Sequence, residues 1–358
     1  MLGVVVSNLE NQHEDVYGKS FALYGEREMR EFIEPFAIRF ERNDLDPPKV
    51  FTGKRCLDAG CGNGRGAIFM MSHGAAAVDC VDISETNIES TARNLKNFGF
   101  PKFTTHLSTL EGLPFPDETF DFVWCNGVIM HAAQPDACLV ELVRVLKRGS
   151  QCWLYIYGTG GLYWWMVRRF RELLAEVSPA TSLAALQLMR YPARYVAEYM
   201  DDWKVPYLRT YSIEDLGGRL RELGFENVTP LSYGVDYDTS HRRNIYPEDR
   251  PWVGDGDLRY LLTKVREPVG HVKRLSSSEF GSEPRFASVI DRRFGHYFSE
   301  LSASLVGAPM IALTACGHIQ KELREIMSRS GRFDIDAVEA AVERVVTLVR
   351  LVVGASVS

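Results

Sequence analysis

The chain has 358 residues, of which 46% are hydrophobic, and a formal net charge of −6 at pH 7. That length and composition support a sizeable core, in one large domain with additions or in two domains. The acidic balance argues against an electrostatic grip on nucleic acid, and no stretch reaches the roughly 18 uninterrupted apolar residues of a membrane span.

Residues 1–12 read as loose, and the apolar run Leu2 to Val6 is too short for a signal peptide. From His13 to Arg42 the spacing is helical, with Phe21, Tyr24, Met29, Phe32, Ile33, Phe36 and Phe40 on one face. Pro47-Pro48 ends that run. The cysteines at 56, 61, 80, 125, 138, 152 and 316 contain no Cys-x-x-Cys and fall mostly in apolar, strand-like contexts. They read as reduced core residues of a cytoplasmic protein, with neither a disulfide frame nor a metal site.

The stretch Lys54 to Gly66 organises the rest of the chain. Cys56, Leu57 and Ala59 form an apolar pulse, glycines stand at 60, 62, 64 and 66, and a helix-compatible run begins at Ala67. That order predicts strand, tight turn and helix, with backbone N–H groups exposed to a ligand. The next strand, 78–83, carries Asp82 at its carboxyl end, where an acid accepts ribose hydroxyls. A dinucleotide turn prefers Gly-x-Gly-x-x-Gly. Here the glycines alternate and Asp58 lies two residues before the first. A carboxylate there repels a pyrophosphate and suits a cationic amine or sulfonium.

At these residues the chain resembles the class I S-adenosylmethionine (SAM)-dependent methyltransferases. Leu-Asp-Ala-Gly-Cys-Gly-Asn-Gly at 57–64 is similar to their first motif, and Leu113 to Val123 is similar to the stretch entering their fourth strand. The resemblance is good over roughly 50–160 and weak over 210–264. It implies SAM as cofactor, held by Asp58, Gly60, Cys61, Gly62, Asn63, Gly64, Asp82 and Ile83. Thr109, with Leu110 beside it, stands where the family usually carries an acid for the adenine amino group. The family often lays an N-terminal helical piece over this site. Tyr17 and Tyr24 are therefore either lid residues or packing aromatics.

Further strands are expected at 102–106 and 120–126, with a helix at 85–97 capped by Ser84 and stopped by Gly99. Asn126 ends the fourth strand, where ligands of open α/β sheets sit, and is expected to face cofactor or substrate. His131 comes within about one helical turn, as a general base or as a packing residue. A helix Asp136 to Leu146 is expected to stop at Gly149. The fifth strand, Gln151 to Tyr157, ends in Tyr157, grouped with His131 as catalytic. Residues 162–209 read as a helical insertion rich in aromatics and arginines that covers the site, with Tyr163 as a substrate contact. Such walls suit an anionic acceptor, although amphipathic helices also bury aromatics and solvate arginines. A helix at 212–223, a strand 225–231 and an edge strand 258–264, antiparallel as in the resembled family, complete the sheet. His241 lies in the long loop between the last two and is a second substrate candidate.

The expected fold is therefore α/β. It is a Rossmann-like, mostly parallel seven-stranded sheet with N-terminal helices (1–50), a SAM-binding domain (51–264) holding the insertion, and a helical extension (265–358). The apolar stripe of the last helix, Val338 to Val353, needs a cover, either the main domain or a second copy of the chain, and a homodimer is favoured. His296, Cys316 and His318 lack metal-ligand spacing and read as structural. The expected activity is methyl transfer to a soluble small molecule, carboxylate-bearing, at an oxygen, nitrogen or sulfur atom. The alternatives are a lipid or quinone acceptor, or a SAM-binding partner protein without turnover.

Overall fold

The computed structural model describes residues 13–231, 246–266, 286–329 and 331–357. These fall into two compact units.

The first unit takes 13–158, 205–231 and 257–266. Its elements begin with helical turns Glu14–Gly18 and Lys19–Phe21, then α1 (Glu26–Arg42) and α2 (Pro47–Phe51). Next come β1 (Arg55–Ala59), α3 (Arg65–Ser72), β2 (Ala77–Asp82), α4 (Glu85–Asn97), β3 (Phe103–Leu107), β4 (Phe120–Asn126), α5 (Pro135–Val145) and β5 (Leu146–Tyr157). After the second unit's middle segment come α9 (Ile213–Glu222), β6 (Phe225–Glu226) and β7 (Asp257–Lys264). The sheet order is β3-β2-β1-β4-β5-β7-β6. β1 to β5 pair in parallel, and β7 runs antiparallel to both β5 and β6. The strands leading to the glycine turn meet buried aromatics, as a sheet covered on both faces requires. Trp124 and Trp153 stack at 4.8 Å between ring centres, and Phe36, Phe40, Phe51 and Phe69 close around Trp124.

Three boundaries differ from expectation. The N-terminal helix is broken, because Gly25 adopts an extended backbone (φ −81°, ψ −177°) before α1. α5 ends at Val145 and β5 starts at once, so Gly149 (φ +80°) is not a helix stop. It lies where the β4–β5 register shifts between the Phe120↔Leu146 and Phe122↔Gln151 pairs, a place where glycine relieves a bulge. β6 is reduced to Phe225–Glu226.

The second unit takes 159–204, 246–256 and 286–357. It holds α6 (Gly161–Leu173), α7 (Pro179–Leu188), α8 (Ala193–Lys204), a one-turn helix Arg250–Val253, α10 (Ala287–Ser304), α11 (Pro309–Ser328) and α12 (Ile335–Val357). Trp165 packs edge-on against Phe298, and Trp203 stacks on Tyr199. Most of the α12 stripe is covered within the chain: Val338, Ala341, Val342, Val346 and Val349 are buried, with α10 and α11 against that helix, while Val352 at its end is 51% exposed. The buried part of the stripe therefore gives no reason for a second copy. Among the described residues no helix is long and apolar enough to cross a membrane. All seven cysteines are buried and free of disulfides.

Candidate cofactor and active site

β1 delivers Asp58 to the carboxyl edge of the sheet. Its Oδ2 accepts the Ala67 N–H at 2.7 Å, tying the strand end to the first turn of α3. The Gly60 and Cys61 N–H groups both donate to the Val81 carbonyl, at 2.8 and 2.9 Å, so the turn leaves the sheet pinned to β2. Gly60 has φ +78°, and a Cβ there would meet the Val128 side chain at 2.4 Å. Only glycine fits that position.

β2 delivers Asp82. Its carboxylate accepts from Gly62 N (2.8 Å), Ser84 N (3.0 Å) and Asn87 Nδ2 (3.2 Å). Burial raises its pKa against these three donors. One acid therefore organises the glycine turn and the start of α4 together. Leu107 of β3 is the register partner of Asp82 and is 58% exposed, and Ile83 is 37% exposed. These two apolar side chains stand bare beside an ordered carboxylate.

Asn63 lies between the positive-φ residues Gly62 and Gly64 and is buried. Its carbonyl accepts from Asn94 Nδ2 at 2.9 Å, but neither Nδ2 nor Oδ1 of its side chain has a hydrogen-bond partner among the described residues. An unmet buried amide costs about 1–3 kcal/mol. Thr109 Oγ1 accepts the Glu111 N–H at 3.3 Å, closing a local turn, and Leu110 is buried.

The other end of the cleft is aromatic. His131 is 3% exposed, and its Nδ1 lies 2.9 Å from the Tyr207 carbonyl. A carbonyl only accepts, so Nδ1 is the donor, and in the neutral tautomer this leaves the lone pair on Nε2. The ring meets Tyr157 edge-on at 5.4 Å and Tyr17 at 5.9 Å. Tyr155 meets Tyr157 at 5.7 Å, and Arg259 stacks over Tyr155 at 4.2 Å. The Arg209 N–H donates to the Met130 carbonyl and its Nη1 to the Ala132 carbonyl at 2.6 Å. A guanidinium is thereby fastened one residue from His131.

A family described as "Methyltransferase domain" matches residues 57–154, which span the glycine turn, Asp82, Asn126 and His131. The chain is 32% identical over 224 residues to the 27-O-demethylrifamycin SV methyltransferase of Amycolatopsis mediterranei, covering 60% of this chain and 78% of that one. The chain belongs to the SAM-dependent methyltransferases. This methyltransferase is also 29% identical over 190 residues to the demethylmenaquinone methyltransferase of Tropheryma whipplei (strain Twist), covering 52% of itself and 73% of the relative. It spans less than half the length of two further curated relatives, 44% and 36%. A SAM-dependent methyltransferase structure from Aquifex aeolicus aligns with 68% of this chain and 100% of that one at 15% identity and a TM-score of 0.39.

The residues of this methyltransferase fit the family's cofactor. Asp58 suits a cationic ligand, Asp82 a ribose, and the bare Ile83 and Leu107 a flat nucleobase, while the Asn63 amide retains hydrogen-bonding capacity. Two sequence-based assignments change. Asn126 is expected to face the ligand, but its Oδ1 accepts the Trp153 indole N–H at 3.0 Å, which ties the side chain to the aromatic core. Tyr163 is expected to touch substrate, but its hydroxyl donates to Asp202 and accepts from Gln320 and Arg324 inside the second unit. His241 lies outside the described residues. Leu107 escapes a sequence reading as a site residue, since nothing in its local pattern separates it from an ordinary strand residue; Tyr207 and Arg209 belong to the aromatic- and arginine-rich insertion but are not singled out by it.

The raised pKa of Asp58 predicts a pH dependence of cofactor binding. Burial pushes its carboxyl up to about 7, against the opposing Ala67 N–H and the nearby Arg65 cation. A cationic ligand favours the ionised form, so its binding expels the proton. Affinity is then full above that pKa and falls as pH drops through it. Calorimetry should show SAM binding weakening by roughly tenfold from pH 8 to pH 6. Equal affinity at both values would remove the Asp58 charge from cofactor recognition.

Proposed function

We propose that this chain transfers the methyl group of SAM to an oxygen atom of a small, carboxylate-bearing acceptor. The observation that carries this reading is the placement of His131. It is buried between Tyr17 and Tyr157 at the carboxyl edge of the sheet, with Nδ1 donating to the Tyr207 carbonyl, which puts the lone pair of the neutral tautomer on Nε2. Bound SAM supplies an electrophilic methyl on a sulfonium, which needs alignment and dryness more than activation. What the chain must add for a hydroxyl acceptor is a base, and His131 Nε2 is that base. Tyr157 and Tyr17 hold the imidazole edge-on and exclude water. Arg209, fixed to the Ala132 carbonyl, supports an anionic group on the acceptor. The rifamycin relative's name, with its O-demethyl substrate, agrees with an oxygen acceptor.

The test is S-adenosylhomocysteine release from SAM and a fractionated metabolite extract, with mass spectrometry of the active fraction. His131→Gln should lower turnover by about 10²–10⁴ while leaving SAM affinity within about threefold. Unchanged turnover would return His131 to packing and point to an acceptor that loses no proton. The likeness to a demethylmenaquinone methyltransferase favours a second reading, a quinone acceptor, in which release appears only with isoprenoid quinones in vesicles. SAM binding without release under either condition would leave a non-catalytic partner protein.

A further inference from the structure

Among the described residues, the N-terminal helical turns touch the cofactor cradle through Phe21, Tyr17 and Glu14. Phe21 packs on Gly62, its Cε2 atom 3.0 Å from where a Cβ on that glycine would stand. Tyr17 meets His131. Ser84 Oγ donates to Glu14 Oε2 at 2.5 Å. The third contact is the polar one, and its location is informative. Ser84 caps α4 by accepting the Asn87 N–H at 3.0 Å, and its own N–H donates to Asp82, the ribose carboxylate. Glu14 therefore reaches across 70 residues of sequence to the residue that braces Asp82. Two acidic side chains, Glu14 and Asp82, stand close enough that the Glu14 charge adds to burial in raising the Asp82 pKa. Such a like-charge pair persists only if something holds it.

We propose that the Glu14–Ser84 hydrogen bond is a latch that keeps the 13–21 segment shut over the cradle and sets the rate of cofactor exchange. Glu14 is thus a positioning residue that acts through Ser84. This rests on the reading of the cradle as the SAM site. Breaking the latch speeds both entry and exit and leaves the equilibrium nearly unchanged, because the same gate serves both directions.

The experiment measures association and dissociation of tritiated SAM, the latter by chase with excess S-adenosylhomocysteine. Glu14→Gln leaves Ser84 without its charged acceptor. Both rates should rise about five- to tenfold, the fold-change of one ordinary hydrogen bond, with Kd moving less than about threefold. Ser84→Asp keeps a good helix cap but sets a charge against Glu14, and should open the latch as well. The double variant Glu14→Gln/Ser84→Asp rebuilds the pair in reverse, with the glutamine amide donating to the aspartate carboxylate, and should restore both rates to within about twofold of wild type. Unchanged dissociation in Glu14→Gln overturns the latch. So does faster dissociation that the double variant fails to restore. Failure of the wild-type protein to bind SAM at all would count against the SAM reading instead.

Discussion

Replacing Arg219 with alanine should lower the unfolding free energy by about 3–5 kcal/mol, measured by chemical denaturation followed through tryptophan fluorescence. Arg219 of α9 is 6% exposed and grips Asp136, in the first turn of α5, which is 0% exposed. The grip is two-pronged, with Nε to Oδ1 and Nη2 to Oδ2, each at 2.7 Å. The exposed pairs of this chain, such as Arg27 with Glu31, contribute far less because water screens them. Here the cost of the substitution is the carboxylate left behind in a dry site, not the Coulomb energy of the pair. The double variant Asp136→Leu/Arg219→Met should therefore recover much of the loss. A decrease below about 1 kcal/mol in Arg219→Ala would mean that water reaches Asp136.

Asp82→Ala should weaken SAM binding roughly ten- to a hundredfold, or about 1.5–3 kcal/mol, in a protein that keeps its far-ultraviolet spectrum. Two losses act in the same direction. The ribose loses its charged acceptor, and the Gly62 N–H, the Ser84 N–H and the Asn87 amide lose the group that aligns them. Asp82→Asn retains one acceptor oxygen and should fall between wild type and Asp82→Ala. Calorimetry showing unchanged affinity in Asp82→Ala would sink the ribose assignment.

What is legible in the chain is local. The glycine turn, Asp58 and Asp82 announce themselves because a strand, a turn and a helix start leave a short-range signature. The edge strand near 258–264 and the helical character of the C-terminal extension also come from period and punctuation, while the antiparallel sense of that strand comes from the family resemblance. The break after Gly307, at Pro309, is where a missing N–H starts α11. What is not legible is the destination of each side chain. Tyr163 reads as a pocket aromatic until Gln320 and Arg324, more than 150 residues away, take its hydroxyl. The α12 stripe reads as an interface until α10 and α11 cover its first part, from Val338 to Val349. Asn126 sits at the ligand edge, yet it turns its amide oxygen to Trp153, a partner 27 residues on that no spacing rule selects. Gly149 reads equally well as a helix stop or as a bulge, and the pairing of Phe120 with Leu146 decides for the bulge.

The interleaving of the two units has a consequence for biosynthesis. α6 and α8 leave the ribosome with Tyr163, Asp202 and Trp203 exposed, while Gln320 and Arg324, which satisfy them, emerge more than a hundred residues later. The second unit is therefore a late-closing one. Its middle helices must wait, with Asp202 holding the Tyr163 hydroxyl but lacking Gln320, and with the Trp203 indole lacking its acceptor, until α11 arrives. A chain ending after β7 would carry every described strand of the sheet and still be a poor folder, since Tyr163 of α6 and Asp202 of α8 would keep each other but lack Gln320 and Arg324. The interval before α11 emerges is the one in which a chaperone would find a client here.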